Sequence, residues 1–262
     1  MLYINNSEKL KNTNFKENDF YVLIDFDATL TTSTSPGSWN VLENEDIFNK
    51  DFVKESHKLI DIYYPYELDY TLDFYTKEKY MKEWYYGNMN LFYKYGLTHP
   101  ILLECVKHSN LTLRNGTKNF LYRMKENNIP VIILSAGIGN VITEILKLNN
   151  CNFDNIHVIS NFIEFKDDKM LPFTKNMIHS LNKNLTVLPN ELKNQICDKK
   201  YILLMGDLIE DISMAPKEDL HRTLTIGFLE TRVNENLIYY NKNFDIVFTQ
   251  NTSFKDIENL IF

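Results

Sequence analysis

The sequence predicts an α/β fold in which helices cover both faces of a mostly parallel sheet, with a helical segment inserted into it. Short apolar runs rich in β-branched residues recur along the chain, stretches with helical spacing separate them, and one long interval lacks such a run. Strand–helix alternation of this kind is typical of parallel sheets with right-handed crossovers. With 262 residues, the chain is long enough for a core domain that carries a smaller insert.

The candidate strands are apolar runs bounded by polar or glycine-containing turns, a pattern typical of strands buried on both faces. They are Tyr21–Ile24, Val131–Leu134, Val158–Ile159, Tyr201–Met205, Leu224–Ile226 and Asp245–Phe248. Between them, apolar residues at helical spacing predict helices, one of them through Val141 and Leu148 and another that ends before Pro130.

The interval 38–106 lacks a convincing buried strand and is dense in charged and aromatic residues. Apolar spacing around Leu59 and Ile62, and again around Met81 and Trp84, predicts amphipathic helices. We therefore predict a helical cap domain at residues 38–106 and a catalytic core at 1–37 and 107–262. A helical layer of the same domain is the alternative, but the interval is far longer than an ordinary connection.

The charge of the chain limits its partners. A formal net charge of -7 argues against a nucleic-acid polymer, because such binding needs Lys and Arg to neutralise phosphates. A phosphate ligand must therefore be held locally, by a metal ion or a few placed donors.

The sequence also indicates a compartment. The N-terminal segment lacks the apolar stretch of a signal peptide, and no apolar run reaches the roughly 18 residues that span a membrane. The three cysteines form no CxxC pair, which fits a reducing environment. We expect a soluble, cytoplasmic protein with no membrane partner. The oligomeric state is left open, and a monomer is compatible with these features.

The strongest local motif is the strand Tyr21–Ile24, which runs directly into Asp25 and Asp27 and then a Thr-rich turn. In open α/β sheets, ligands bind beyond the carboxyl ends of the strands. Backbone alternation points both carboxylates in similar directions, where they repel each other unless a cation or a shared proton relieves them. Mg²⁺ prefers oxygen ligands and leaves room for a phosphate oxygen. A polar turn that closes a strand is the alternative.

The strand Val131–Leu134 ends in a second motif, Ser135 followed by Ala136 and Gly137. The Ser135 hydroxyl and the neighbouring amides could hold phosphate oxygens, because glycine allows a close backbone approach. Taken alone, this motif is better explained as a helix N-cap.

The third motif follows Tyr201–Met205, where a glycine precedes Asp207 and Asp211 comes four residues later. Asp207 can complete a Mg²⁺ shell begun by Asp25, and Asp211 could ligate through water or orient a ligand; both could instead be ordinary helix-start acids. Lys183 lies between the second and third motifs, where it could neutralise phosphate charge, although most lysines are solvated. Together, in this order, the motifs indicate a phosphate site.

The order D-x-D-x-T, Ser or Thr, Lys, and G-D-x-x-x-D resembles the haloacid dehalogenase superfamily. Within it, the chain is similar to the cytosolic pyrimidine 5′-nucleotidase family, also called cytosolic 5′-nucleotidase III. That resemblance runs from about Tyr21 to the C-terminus and rests on DFDATLT, EWYYGN, IPVIILSAGIGNVITEIL, SNFIEF, IHSLNKN, ILLMGDLIED and IGFLETRVNENL. It implies a Rossmann-like core with an inserted cap, and Mg²⁺-dependent hydrolysis of pyrimidine nucleoside 5′-monophosphates to nucleoside and phosphate.

The resemblance also implies roles for individual residues. Asp25 would be the nucleophile, forming an aspartyl-phosphate, and a Mg²⁺ ligand. Asp27 would be the general acid–base and would bind Mg²⁺ through its backbone carbonyl, while Asp207 would complete the metal site. The implied contacts to phosphate come from Ser135, Ala136 and Lys183. Those to the rest of the substrate come from Glu67, as the acid that recognises the base, and from Asn88.

Several features depart from the family pattern. Asn88 stands where the family has Ser, Leu-Ile-Glu follows Asp207 where the family has small polar residues, and TTSTSPGSWNVLENED matches poorly. These departures concern base preference more than catalysis. Glu67 can accept hydrogen bonds from an exocyclic amine, as on cytosine. One or two aromatic side chains are expected to stack on the base, from among Tyr63, Tyr64, Trp84 and Tyr85.

Two alternatives to this function stay open at the level of sequence. One is a phosphatase or phosphotransferase of the same type that acts on another small phosphomonoester, such as phosphoserine. The other is a catalytically silent nucleotide-binding domain, against which the intact Asp25, Asp27, Lys183 and Asp207 argue.

Overall fold

The computed structural model describes residues 1–13, 15, 19–67, 69 and 71–262. Its strands are β1 (Leu2–Ile4), β2 (Phe20–Ile24), β3 (Val131–Ile138), β4 (Ile156–Asn161), β5 (Phe165–Lys166), β6 (Lys169–Met170), β7 (Tyr201–Gly206), β8 (Thr223–Phe228) and β9 (Ile246–Phe248). Its helices are α1 (Ser7–Asn12), α2 (Lys50–Glu67), α3 (Phe74–Lys94), α4 (His99–Lys107), α5 (Thr117–Glu126), α6 (Gly139–Leu148), α7 (Asn190–Ile196), α8 (Val233–Asn243) and α9 (Phe254–Ile261).

The main sheet has the order β1-β9-β8-β7-β2-β3-β4. Every neighbouring pair is parallel except β1 and β9, which run antiparallel at one edge. The central strand β2 lies between β7 and β3, with Ile24 opposite Met205 on one side and Ile133 on the other. The carboxyl ends of these three strands therefore meet at one edge of the sheet. The predicted α/β fold with a mainly parallel sheet is confirmed.

The strands differ from the sequence prediction mainly at their ends. The predicted strand Asp245–Phe248 begins one residue later, because the Asp245 carboxylate accepts hydrogen bonds of 2.9 Å from the amide and hydroxyl of Thr225 in β8. Val158–Ile159 is the middle of the longer β4, and β3 continues past Ser135 through an irregularity. The edge strand β1 was not predicted, since three residues are too few to show a pattern.

Alternate residues of the central strands face opposite sides of the sheet, as the apolar runs predict. Val22 and Ile24 join the larger apolar cluster, while Tyr21 and Leu23 join a smaller one that α7 helps to cover. No helix in the described part of the chain is both long and apolar enough to cross a membrane.

The described residues of the interval 38–106 are mainly helical, as predicted, and its two long helices, α2 and α3, pack on each other. Its last helix, α4, instead packs against α6, which follows β3. Buried apolar side chains form one cluster that runs from Ile24 in the sheet to Phe52 in α2 and Met81 in α3. The helices of the insert thus share one apolar core with the sheet. The division into core and cap at residues 38 and 106 stays a prediction.

Candidate active site

The turn after β2 places the first pair of acids at the carboxyl edge of the sheet. The Asp25 amide still donates to the Met205 carbonyl at 3.0 Å, so Asp25 is fixed to β7. Ala28 then adopts a left-handed conformation (φ 54°), which reverses the chain. The fully buried Arg114 side chain stabilises this reversal, donating at 2.9 Å to the carbonyls of both Ala28 and Thr29.

Three carboxylates meet at this edge. One oxygen each of Asp25, Asp207 and Asp211 lies within 4.8 Å of the other two. Asp25 and Asp211 are buried and Asp207 is half-buried. Close, buried carboxylates are the hard oxygen donors that Mg²⁺ prefers, so these residues fit the expected metal. The expectation that Asp25 and Asp207 come together agrees with this geometry.

The cation at the cluster is the Lys183 ammonium, which is 2% exposed. Its Nζ lies 2.7 Å from Asp25 Oδ1 and also contacts Asp211 Oδ1. The other oxygen of Asp211 accepts from the Leu208 amide at 3.0 Å. Because both of its oxygens are engaged, Asp211 is better suited to orient Lys183 than to bind a metal directly.

Asp25 and Asp207 both have raised pKa values, although Lys183 lies beside the cluster. Burial raises the pKa of Asp25 to about 7, with the carboxylates of Asp211 and Asp27 adding to the rise and Lys183 opposing it. Burial, followed by the charge of Asp25, also raises the pKa of Asp207 well above its ordinary range. Buried acids that repel each other in this way favour a bound cation.

Asp27 lies beside the cluster but is held separately. Its two carboxylate oxygens accept from the Ser38 amide at 2.8 Å and from the Ser38 hydroxyl at 2.7 Å. Burial raises the pKa of the Asp27 carboxyl, while the two donors from Ser38 oppose the rise. The raised pKa favours the protonated form that a general acid needs.

Ser135 follows the regularly paired part of β3, which ends at Leu134, and its side chain is buried. Its hydroxyl accepts from the Gly137 amide at 3.0 Å. A Cβ on Gly137 would collide with the Ser38 hydroxyl and lie 3.0 Å from Asp27 Oδ2, so glycine is required for the close approach. The Ala136 carbonyl accepts from the indole of Trp39 at 3.1 Å, which fixes the backbone of this loop.

A cavity of about 460 Å³ opens beside Asp27, between the strand ends and helices α2 and α3. Its lining includes Glu67 and Asn88, the two residues for which the resemblance implies substrate contacts. Its aromatic walls are formed by Trp39, Tyr64, Trp84, Tyr85 and Phe92. Of the four aromatic residues considered for stacking, Tyr63 is not part of the lining; its hydroxyl instead donates to Glu83 at 3.3 Å.

Glu67, half-buried at the end of α2, also lines a second cavity of about 380 Å³ that reaches Asp207. Burial raises the pKa of Glu67 to about 7, and the neighbouring Glu210 adds to the rise. Glu210 forms a 2.8 Å ion pair with Lys77 of α3, which links the insert to the loop after β7.

Several residues of the site were not predicted from the sequence. Ser38 and Trp39 contact Asp27 and Ala136 from a segment without helical or strand periodicity. Tyr240 of α8 donates its hydroxyl to the Asp207 carbonyl, and Arg114 supports the turn after β2. Each is a single side chain brought in by the fold, so no local pattern marked it.

Comparison with known proteins assigns the family. A family model described as pyrimidine 5′-nucleotidase (UMPH-1) matches residues 26–262. The chain belongs to this family. A human protein named 7-methylguanosine phosphate-specific 5′-nucleotidase is 33% identical over 248 residues, which are 92% of this chain and 83% of that protein. The protein of the same name from Drosophila melanogaster is 31% identical, over 86% of this chain and 74% of its own length.

Solved structures agree with this assignment. The crystal structure of cytosolic 5′-nucleotidase IIIB bound to cytidine matches with a TM-score of 0.84 and 27% identity, over 97% of this chain and 88% of that one. The fold is shared more distantly with phosphoserine phosphatase, at a TM-score of 0.59, 15% identity and coverage of 92% and 98%. The member of the UMPH-1 family described here is thus a 5′-nucleotidase with the haloacid dehalogenase fold, and the predicted family, fold and enzyme class are confirmed.

Proposed function

We propose that this nucleotidase hydrolyses nucleoside 5′-monophosphates in a Mg²⁺-dependent reaction through an aspartyl-phosphate on Asp25. The observation that carries the proposal is the convergence of Asp25, Asp207 and Lys183 beside a cavity lined by Asp27 and aromatic rings. The cluster suits the phosphate and the cavity suits the nucleoside.

Asp25 and Asp207 are the residues that would hold Mg²⁺, together with the Asp27 backbone carbonyl that the family resemblance suggests. When bound, the ion supplies charge neutralisation and orientation for the phosphate. Lys183, already 2.7 Å from Asp25 Oδ1, neutralises further charge. Ser135 and the Ala136 amide hold the remaining phosphate oxygens.

A carboxylate oxygen of Asp25 attacks the phosphorus, and the bond from phosphorus to the ribose oxygen breaks. Asp27 donates its proton to that oxygen, so the nucleoside leaves neutral. Asp27 then accepts a proton from the water that attacks the aspartyl-phosphate, which releases phosphate and regenerates Asp25. Its hydrogen bonds from Ser38 keep the carboxyl oriented through both steps.

The test uses Asp25→Asn, which keeps the size of the side chain and removes the nucleophile. Turnover of a nucleoside monophosphate should fall at least roughly a thousandfold, with the circular dichroism spectrum unchanged. Asp61→Asn, at an exposed position of α2, is the matched control and should retain full activity. Activity retained by Asp25→Asn, or by wild type with EDTA, contradicts the mechanism.

Two bases are supported for the cavity. Cytidine bound to a structurally similar protein favours pyrimidine nucleotides, in agreement with the amine-accepting Glu67. The names of the similar proteins instead favour 7-methylguanosine monophosphate, whose methylated ring is positively charged and suits aromatic faces beside carboxylates. Comparison of the hydrolysis rates of both nucleotides with that of phosphoserine tests whether another small phosphomonoester is the substrate. Addition of a nucleoside acceptor to the same assay tests for phosphotransfer.

We also propose a cytoplasmic location. A Caenorhabditis elegans relative, 28% identical over 240 residues, is named putative cytosolic 5′-nucleotidase 3, and the sparse, unpaired cysteines fit a reducing compartment. Fractionation of cells that express the chain tests this location.

A further inference from the structure

Glu43 forms part of the nucleoside cavity although no motif marks it. It follows a short helical turn at Asn40–Leu42 and lines the cavity beside Asp27. Its side chain is 11% exposed, so the carboxylate is largely withdrawn from solvent. One oxygen accepts from the Ser56 hydroxyl at 2.5 Å, and the other accepts from the Asn40 amide at 2.8 Å.

Ser56 connects Glu43 to Asn88. The Ser56 oxygen lies 2.5 Å from Glu43 Oε1 and 3.2 Å from Asn88 Oδ1. A hydroxyl carries one hydrogen, and a charged acceptor at the shorter distance takes it. The longer contact of Ser56 with Asn88 Oδ1 is correspondingly weak, so this carbonyl oxygen keeps acceptor capacity for a ligand while it still packs against Ser56. Asn88 is 8% exposed and lines the cavity, so bulk water has little access to this carbonyl oxygen.

The charge of the cavity is one-sided. Its lining contains the carboxyl groups of Asp27, Glu43 and Glu67, and none of its described lining residues is Lys or Arg. The exposed His57 ring approaches Glu43 Oε2 at 3.6 Å but is not part of that lining. Aromatic faces attract cations, and carboxylates attract both cations and N–H donors.

We propose that Glu43 is a specificity-determining residue: it favours nucleobases that carry positive charge or amino donors, through its own charge and by drawing the Ser56 hydrogen away from the Asn88 carbonyl. This inference rests on the proposed function, because it assigns the cavity to the base of a nucleoside monophosphate. It concerns the choice among bases and leaves the chemistry at Asp25 unchanged.

The experiment compares two pairs of substrates with Glu43→Gln. 7-Methylguanosine and guanosine monophosphates differ in a methyl group and its positive charge, and cytidine and uridine monophosphates differ in an amino donor. A carboxylate charge at van der Waals range of the base affects its binding by about tenfold or more. We therefore expect the ratio of kcat/KM within each pair to fall about tenfold, mainly through KM.

Three variants complete the design. Glu43→Asp retains the charge and should restore most of the selectivity, whereas Ser56→Ala should raise KM for all four nucleotides with kcat preserved. Glu55→Gln removes a half-buried carboxylate of α2 that pairs with Lys94 and is not part of the cavity lining, and should leave both ratios unchanged. Thermal denaturation establishes that each variant is folded.

If Glu43→Gln lowers kcat/KM equally for both members of each pair, the role of Glu43 is purely structural and the proposal is overturned. It is also overturned if Glu43→Gln has no effect on kcat/KM. Wild type that hydrolyses none of the four nucleotides would instead contradict the proposed function. The two failures are therefore distinguishable.

Discussion

Replacing Lys183 by Met removes the buried cation from the acid cluster. At an effective dielectric constant of about 20, one contact at 2.7 Å gives an attraction of ~6 kcal/mol, most of which offsets the desolvation of the charges. Removing one partner of a buried ion pair has a net cost of about 3–5 kcal/mol, because the remaining carboxylates stay buried. For a chain of this size, the melting temperature should fall by roughly 6–20 °C.

The assay is urea denaturation of the metal-free protein at pH 7.5 and pH 5. Burial already raises the pKa of Asp25 to about 7 in the presence of Lys183. Without the lysine, the carboxyl should take up a proton still more readily, so the loss should be smaller at pH 5. The double variant with Asp211→Asn should also recover part of the stability, because one carboxylate less needs a partner.

Lys79→Met is the matched control, since this lysine is 70% exposed and its ion pair with Glu83 spans 3.8 Å. Its effect should remain below about 0.5 kcal/mol. A loss below about 1 kcal/mol for Lys183→Met, unaffected by pH and by Asp211→Asn, would refute the view that the lysine neutralises a buried acid cluster.

Three further perturbations follow from the same site. Gly137→Ala should destabilise the chain by about 2 kcal/mol or more and reduce kcat, because its Cβ would displace Ser38 from Asp27. In Gly87→Ala, the added Cβ meets only the flexible Leu59 side chain, so this control variant should show neither effect in the same melting and rate assays. The metal-free protein should lose stability as the pH rises from about 4 to about 7. Burial raises the pKa of both Asp25 and Glu67 to about 7, so the folded state binds more protons than the unfolded state in this range. A urea midpoint that stays constant over this range in EDTA would contradict the prediction. Lys77→Met should lower the free energy of unfolding by about 2 kcal/mol, because Glu210 would stay largely buried without its ion pair to Lys77. An effect no larger than that of Lys79→Met would show that the ion pair between Lys77 and Glu210 contributes little to stability.

The elements that the sequence predicted best are those defined by a local pattern. Asp25, Ser135 and Asp207 each come at the end of an apolar run, and parallel strands bring their carboxyl ends together. Their convergence therefore follows from the alternation of elements alone. Lys183 was selected by its place in the order of motifs, and its 2.7 Å contact with Asp25 agrees with that reasoning.

The residues that the sequence did not reveal act through tertiary contacts. Ser38, Trp39 and Glu43 belong to the segment TTSTSPGSWNVLENED, which has no periodicity and a poor family match, yet it forms one wall of the cavity. Their neighbours in space, such as Asp27, Ala136 and Ser56, are 11 to 97 positions away in the chain. The contact between Trp39 and Ala136 spans far more positions than any local pattern, and the two shorter contacts start from a segment without periodicity, so nothing in the sequence marked them.

The position of Arg114 has a consequence for the far end of the chain. Besides the turn after β2, its guanidinium pairs with Glu230, stacks on the Phe228 ring at 4.4 Å and donates to the Thr252 carbonyl at 3.2 Å. One side chain thus ties the loop that carries Asp25 to the residues that precede α9. A truncation that reaches Thr252 would therefore remove one of the bonds that hold this loop, together with the buried Phe254 and Ile257 of α9, and would act on the candidate active site from a distance.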